Sequence, residues 1–167
     1  IANHTYDHPA GLADLSLKEK EKTILGADRI ITGTTGIRPR GFRGPGYSID
    51  QDVLDILEGN GYLYDSSVFP FYYARLIKLI FGWIRKKRLA PGHYGRFWYG
   101  RAPRGFYRPS RNHIGKTGHR NIFEVPVTVT PFLRLPVHAS FVFMFGPWYF
   151  DCVYKMLPKR CVDVNYL

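Results

Sequence analysis

The chain has no uninterrupted apolar run of the roughly 18 residues that a bilayer-spanning helix needs, so nothing in it reads as a membrane span. Cysteine is scarce. Cys152 and Cys161 alone are too few for a disulfide framework, and their separation matches no zinc-type spacing. They read as core thiols, with a single bridge as the alternative. No internal repeat or low-complexity tract interrupts the sequence. No Asp-Asp pair occurs anywhere, and Ser66 to Phe123 contains no acidic residue at all. No signal segment stands before Ile1. The chain opens inside a motif, so this says nothing about export.

What is present begins with size. A length of 167 residues, 45% of them apolar, is enough for one domain with a real core. The aromatic share is high at 16%, which suits a packed core and also a sugar-binding cleft. The net charge of +11 is concentrated: Ser66 to Phe123 holds 13 Lys and Arg, while the remainder balances 11 basic against 13 acidic residues. Such a field favours anionic partners, namely lipid headgroups, phosphate-bearing wall polymers or nucleic acid.

Along the chain, Ser16 and Glu19 form a capping box ahead of a helix with apolar residues at Ile24, Ala27, Ile30 and Ile31. Gly36 and Pro39 stop it. "RGFRGPGYSID" reads as a short strand running into a loop. Ser48 and Gln51 suggest a second capping box, opening a helix over Val53, Leu54 and Leu57 that Gly59 and Gly61 end. "YLYDSS" and "NIFEVPVTV" read as strands, and so does "ASFVFMF". "PWYFDCVYKML" reads as a helix with Pro147 in its first turn, and "CVDVNYL" as a last strand. The alternation predicts an α/β fold with parallel strands.

The opening "IANHTYDHP" places His4 and His8 four residues apart. On a helical turn that spacing puts both imidazoles on one side, within reach of a single ion. Zinc or another divalent transition metal suits neutral imidazole. Two ligands alone hold a metal weakly, and two surface histidines would show the same spacing. Asp7, next to His8, reads as a capping or supporting group.

In order and spacing, "IANHTYDHP", "TGTTGIRPRGFRGPGYSID", "LEGNGYLYDSS" and "EVPVTVTPFLRLP" resemble the polysaccharide deacetylases, the NodB-like family 4 carbohydrate esterases. The resemblance implies a distorted (β/α) barrel, here incomplete, and metal-dependent removal of an acetyl group from an amino sugar. It assigns His4 and His8 as metal ligands. Arg43 would align a catalytic carboxylate, and the Gly46 N–H would donate to the oxyanion. Pro45 and Tyr47 would contact the sugar. The substrate class it implies is an N-acetylated glycan, on a polysaccharide or a lipid-linked sugar.

The family's first motif, with its paired aspartates, would precede Ile1, and its last, with the acid histidine, would follow Leu167. Residues 1–167 are therefore expected to be a partial deacetylase domain, with residues 71–120 as a basic aromatic insertion. On its own the chain is expected to lack its base, a metal ligand and its acid, and so to be impaired. A non-catalytic relative that binds glycan or an anionic membrane surface is the alternative. Glu124 is a candidate for orienting the acid histidine, against an ordinary strand-end carboxylate paired with an arginine. His138 reads as packed or capped, and His93, His113 and His119 as solvated.

Within the insertion, "RLIKLIFGWIRKKR" from Arg75 to Arg88 reads as an amphipathic cationic helix, either lying on anionic lipid or packed with a solvated rim. An anionic membrane surface or wall polymer is thus a candidate partner, with a place at the cell envelope or the cytoplasmic membrane face. Nucleic acid ranks below both, because no recognisable nucleic-acid fold accompanies the arginines.

Overall fold

Four short parallel strands organise the computed structural model, which describes residues 1–9, 11–73 and 97–157. The cationic stretch 75–88 and the closing "CVDVNYL" lie outside the described residues. Strands β1 (Ala2–Asn3), β2 (Gly41–Phe42), β3 (Tyr64–Asp65) and β4 (Phe123–Glu124) lie side by side in sequence order. Their register puts Asn3, Phe42, Asp65 and Glu124 in one row. The sheet is open, with helices packed on it, as an incomplete barrel requires.

Helix α1 (Leu17–Thr35) starts on the expected capping box, with Ser16 and Glu19 satisfying each other's backbone N–H groups, and ends on Gly36 at φ 70°. Helix α2 (Gln51–Gly59) starts two residues later than the Ser48 box predicts. Asp50 is its cap, accepting from the Val53 N–H at 3.0 Å. Ser48 is used elsewhere: its hydroxyl accepts from the Ala13 N–H at 2.9 Å. The nearly buried Lys20 joins the two helices through Asp50 and Asp52. Leu12, Ile24, Phe42, Leu54, Leu57 and Ile122 fill the space between helices and sheet.

Arg120 fastens the basic loops to α2. Its side chain is 1% exposed, and its guanidinium donates to Asp55, Glu58 and Gln51 at 2.6–2.8 Å. Removing one partner of such a buried pair strands the other charge, at a cost of about 3–5 kcal/mol.

"ASFVFMF" is not a strand. It is helix α3 (Ala139–Phe145), followed across Gly146 by α4 (Pro147–Lys155). Its alternating aromatics fit a strand, but Phe141 and Phe145 stand one helical turn apart and both meet Tyr149, at ring separations of 6.0 and 5.4 Å. Packing here overrides local pattern. Only Phe123–Glu124 of "NIFEVPVTV" forms a strand, because Pro126 offers no N–H to extend the ladder. Cys152 is exposed on α4, not a core thiol.

Two glycines should respond oppositely to alanine. A Cβ on Gly44 would sit 2.3 Å from the Ser48 carbonyl oxygen, and backbone cannot swing aside. Gly33, inside α1, has open space. Gly44→Ala is expected to destabilise by about 1–3 kcal/mol and Gly33→Ala to stabilise by about 0.5–1 kcal/mol. Urea denaturation of both variants checks the signs.

Candidate functional site

Each strand delivers its next residues to the carboxyl edge of the sheet, where open α/β sheets hold their chemistry. Beyond β1 comes His4, beyond β2 the loop Arg43–Tyr47, beyond β3 Ser66 and Ser67, and beyond β4 Val125.

Asn3 anchors the histidine loop. Fully buried, it donates to the Ile24 carbonyl and the Tyr62 hydroxyl, and its own carbonyl accepts from the Thr5 N–H at 2.8 Å. The loop is not the helical turn that the spacing suggested. Thr5 and His8 stand in the left-handed region, at φ 65° and 50°, a strained conformation for residues other than glycine. This folds the loop back, so that the His4 and His8 rings lie 5.1 Å apart, edge to face. Asp7 turns to α1, where its carboxylate accepts from the Thr23 hydroxyl.

The pair fits a divalent transition metal. His4 Nδ1 lies 2.6 Å from the Arg43 carbonyl oxygen. A carbonyl only accepts, so Nδ1 carries the proton and Nε2 keeps its lone pair for a ligand. Partial burial, opposed by this bond and helped by the charges of His8 and Arg43, holds the His4 pKa below its ordinary value. The ring is therefore in its neutral, ligating form at pH 7. Imidazoles sharing one tetrahedral ion at about 2.1 Å from each nitrogen have centroids about 5 Å apart. Among the described residues no group of three or more His, Cys, Asp or Glu converges on one point. His4 and His8 are brought together there without a third residue of these types.

The Arg43 loop is held from below. The Arg43 guanidinium, nearly buried, donates to Ser66 Oγ at 2.6 Å, and that hydroxyl donates to the Val125 carbonyl. The Gly44 N–H donates to Ser67 Oγ at 2.8 Å, and Ser67 Oγ donates to Asp65 at 2.6 Å. Pro45 is buried. Gly46 and Tyr47 are both left-handed, at φ 59° and 61°. The turn closes through the Tyr47 and Ser48 N–H groups onto Gly44 and Pro45, and neither bond uses the Gly46 N–H.

Below this loop lies a feature that the sequence did not disclose. Asp65 and Glu124 are both fully buried and adjacent across β3 and β4. Burial first, then Asp65, hold the Glu124 carboxyl well above its ordinary pKa. Burial also raises Asp65, while hydrogen bonds from Glu124 and Ser67 pull it back. Both carboxyls are thus raised together, Glu124 Oε1 accepts from the Val68 N–H at 2.9 Å, and its buried Oε2 meets no donor among the described residues. Glu124 is not an ordinary strand-end carboxylate.

His138 also joins the site. Its Nε2 lies 2.6 Å from the Tyr47 hydroxyl, and burial together with the Arg43 charge lowers its pKa. The neutral ring accepts the phenol proton. Nothing in "LPVHAS" marks this contact, which bridges 91 positions. His113 packs edge-on against Tyr99 instead of standing free in solvent. A groove of about 570 Å³ runs along the outer side of the histidine loop, between Tyr6, Asp7 and the α1 residues Glu19, Lys22 and Arg29. Its lining includes neither histidine nor Arg43.

Residues 1–64 match the family described as polysaccharide deacetylase. The likeness is confined to this segment, 64 of the 167 residues. The deacetylase match contains His4, His8, Arg43 and Tyr47, and stops before Glu124 and His138. The peptidoglycan deacetylase-like protein FGM2 of Gibberella zeae is 37% identical over 68 residues, which are 41% of this chain and 20% of that protein. Among solved deacetylase-type structures, peptidoglycan deacetylase PdaC from Bacillus subtilis is 34% identical, covering 33% of this chain and 27% of its own, at a TM-score of 0.31. A family 4 carbohydrate esterase from Streptomyces lividans, solved in complex with acetate, is 25% identical over 39% of this chain and 33% of its own, at a TM-score of 0.36. The chain spans about a fifth of FGM2 and at most a third of these two solved chains.

The acid pair makes stability depend on pH. Glu124 binds its proton more tightly folded than unfolded, so its contribution is fully present below the ordinary value near 4.5 and is lost as pH rises through the raised folded value. Glu124→Gln, whose amide can donate to Asp65 and accept from Val68, is expected to fold and to show a flatter profile. Urea midpoints at about pH 5, 7 and 9 measure the difference.

Proposed function

We propose that the protein is a metal-dependent deacetylase of N-acetylated glycans, using zinc or a similar divalent cation. One observation carries the reading: two imidazoles stand 5.1 Å apart within the segment that matches the deacetylase family, and the Arg43 carbonyl fixes His4. The name of FGM2 favours an N-acetylated wall polymer as substrate.

Residues of this chain would divide the work. His4 and His8 would hold the metal, which when bound polarises the amide carbonyl. The Gly46 N–H, on its left-handed turn, would donate to the oxygen that gains charge as the acetyl carbon becomes tetrahedral. Arg43 adds a fixed positive charge beneath the loop, which favours an anionic group there. Its position is set by Ser66, so it does not reorganise during reaction. Tyr47, braced by His138, and the buried Pro45 would form the wall against which the sugar packs. In the reaction a water molecule adds to the acetyl carbon, the amide C–N bond breaks, and a proton from that water passes to the departing nitrogen, releasing acetate and a free amine on the sugar.

The test compares His4→Ala and His8→Ala with the parent protein, expressed from its whole reading frame. Zinc affinity is measured by chelator competition, and acetate release from N-acetylglucosamine oligomers by coupled assay. Each substitution is expected to weaken zinc binding and to lower turnover at least about a hundredfold. Unchanged zinc affinity and turnover in both variants would remove the assignment.

A further inference from the structure

Far along the chain from the histidines, the α3–α4 pair is apolar on both sides. Its inner side is accounted for: Phe141, Tyr149 and Val153 are buried with Phe69, Phe71 and Val127. Its outer side is not. Phe143 is 90% exposed and Trp148 63%, with Phe145 and Tyr154 also open to solvent. The neighbouring turn adds Phe132, at 91%. A soluble surface leaves single apolar side chains open, but not a cluster of large aromatics on adjoining elements.

Charge indicates what this surface meets. From Ser66 to Leu157 the sequence has only two carboxylates, Glu124 and Asp151, and Glu124 is fully buried. The sequence segment that carries the aromatics therefore has one exposed acid and many cations. Some of those cations adjoin the cluster. Arg134, next in sequence to Leu133, donates to the Gly100 and Ala102 carbonyls at 2.7 Å and lies over the Tyr72 ring at 4.9 Å. That bond set brings the Phe132 turn beside the exposed Arg101 and Arg104.

We propose that the α3–α4 pair and the 131–134 turn dock on an anionic lipid bilayer, with their aromatics in the headgroup plane. Exposed aromatic rings partition into that zone, and flanking arginines add attraction to acidic lipid. A second copy of the chain is disfavoured as occupant, because the same surface would bring excess positive charge against itself. A glycan is disfavoured because Phe132, Phe143 and Phe145 offer it no hydrogen-bonding group. The inference is independent of the deacetylase reading, since it uses no residue of the histidine site.

Co-sedimentation with vesicles tests it, using phosphatidylcholine alone and phosphatidylcholine mixed with phosphatidylglycerol. Trp148 is followed by quenching from brominated lipid, taken as the difference between the parent and Trp148→Phe. Binding is expected only with the anionic vesicles, with quenching that Trp148→Phe removes. Phe143→Ser and Phe132→Ser, both at exposed positions, should each lower partitioning about tenfold without changing circular dichroism. Three results would overturn the proposal. One is full vesicle binding by the Phe143→Ser, Phe132→Ser double variant, which would leave charge alone as the cause. Another is a dimer that the same substitutions dissociate. The third is Trp148 already shielded from acrylamide in the lipid-free protein.

Discussion

Two adjacent buried carboxyls, Asp65 and Glu124, lie at the root of the carboxyl edge of the sheet. Left ionised together, Asp65 and Glu124 would repel each other in a medium too dry to screen them. Burial and that repulsion raise both carboxyls, which favours a proton on the pair, and Asp65 accepts from Ser67. Ser67 in turn receives the Gly44 N–H, and Ser66 receives the Arg43 guanidinium. The Arg43 carbonyl then orients His4. Loops from four different strands are thus connected through one chain of bonds, beginning at a side chain that makes no contact with either imidazole.

The histidine loop is where the structure carries strain. Thr5 is β-branched and His8 precedes a proline, yet both adopt left-handed backbone. Nothing in helical geometry would require that. What it achieves is the approach of the two rings while Asp7 turns away to Thr23. The surrounding anchors, Asn3 at the start and the Tyr6 N–H on the Thr23 carbonyl at 3.1 Å, hold the loop against relaxation. Side chains pre-positioned in this way would lose little freedom on taking up a ligand.

Local chemistry in the sequence was a good guide where the deciding partner lay within a few residues. The Ser16–Glu19 capping box, the Gly36 stop and Pro147 at the start of α4 all needed only their neighbours. Motif order pointed to the His4, His8 and Arg43 loops, and these do meet. What stayed hidden depended on partners far along the chain. Ser48 resembles a helix cap until Ala13 is found on its hydroxyl. The alternation of "ASFVFMF" suits a strand until Tyr149 packs beside it. Glu124 could not be recognised as one of a buried acid pair without Asp65 across the sheet, nor His138 as a brace without Tyr47. Single-sequence patterns carry no information about such pairings.

The ladder itself is only two residues deep in every strand. It is prolonged by a staircase in which the Arg43 N–H reaches the Asn3 carbonyl, the Ser66 N–H reaches Phe42 and the Val125 N–H reaches Asp65, at 2.8–3.0 Å. The donors on those steps, Arg43, Ser66 and Val125, are the first residues of the loops beyond β2, β3 and β4. Ordering of those loops and pairing of the strands therefore draw on one set of hydrogen bonds. Displacing any one of these loops breaks a rung of the sheet as well as a contact of the site.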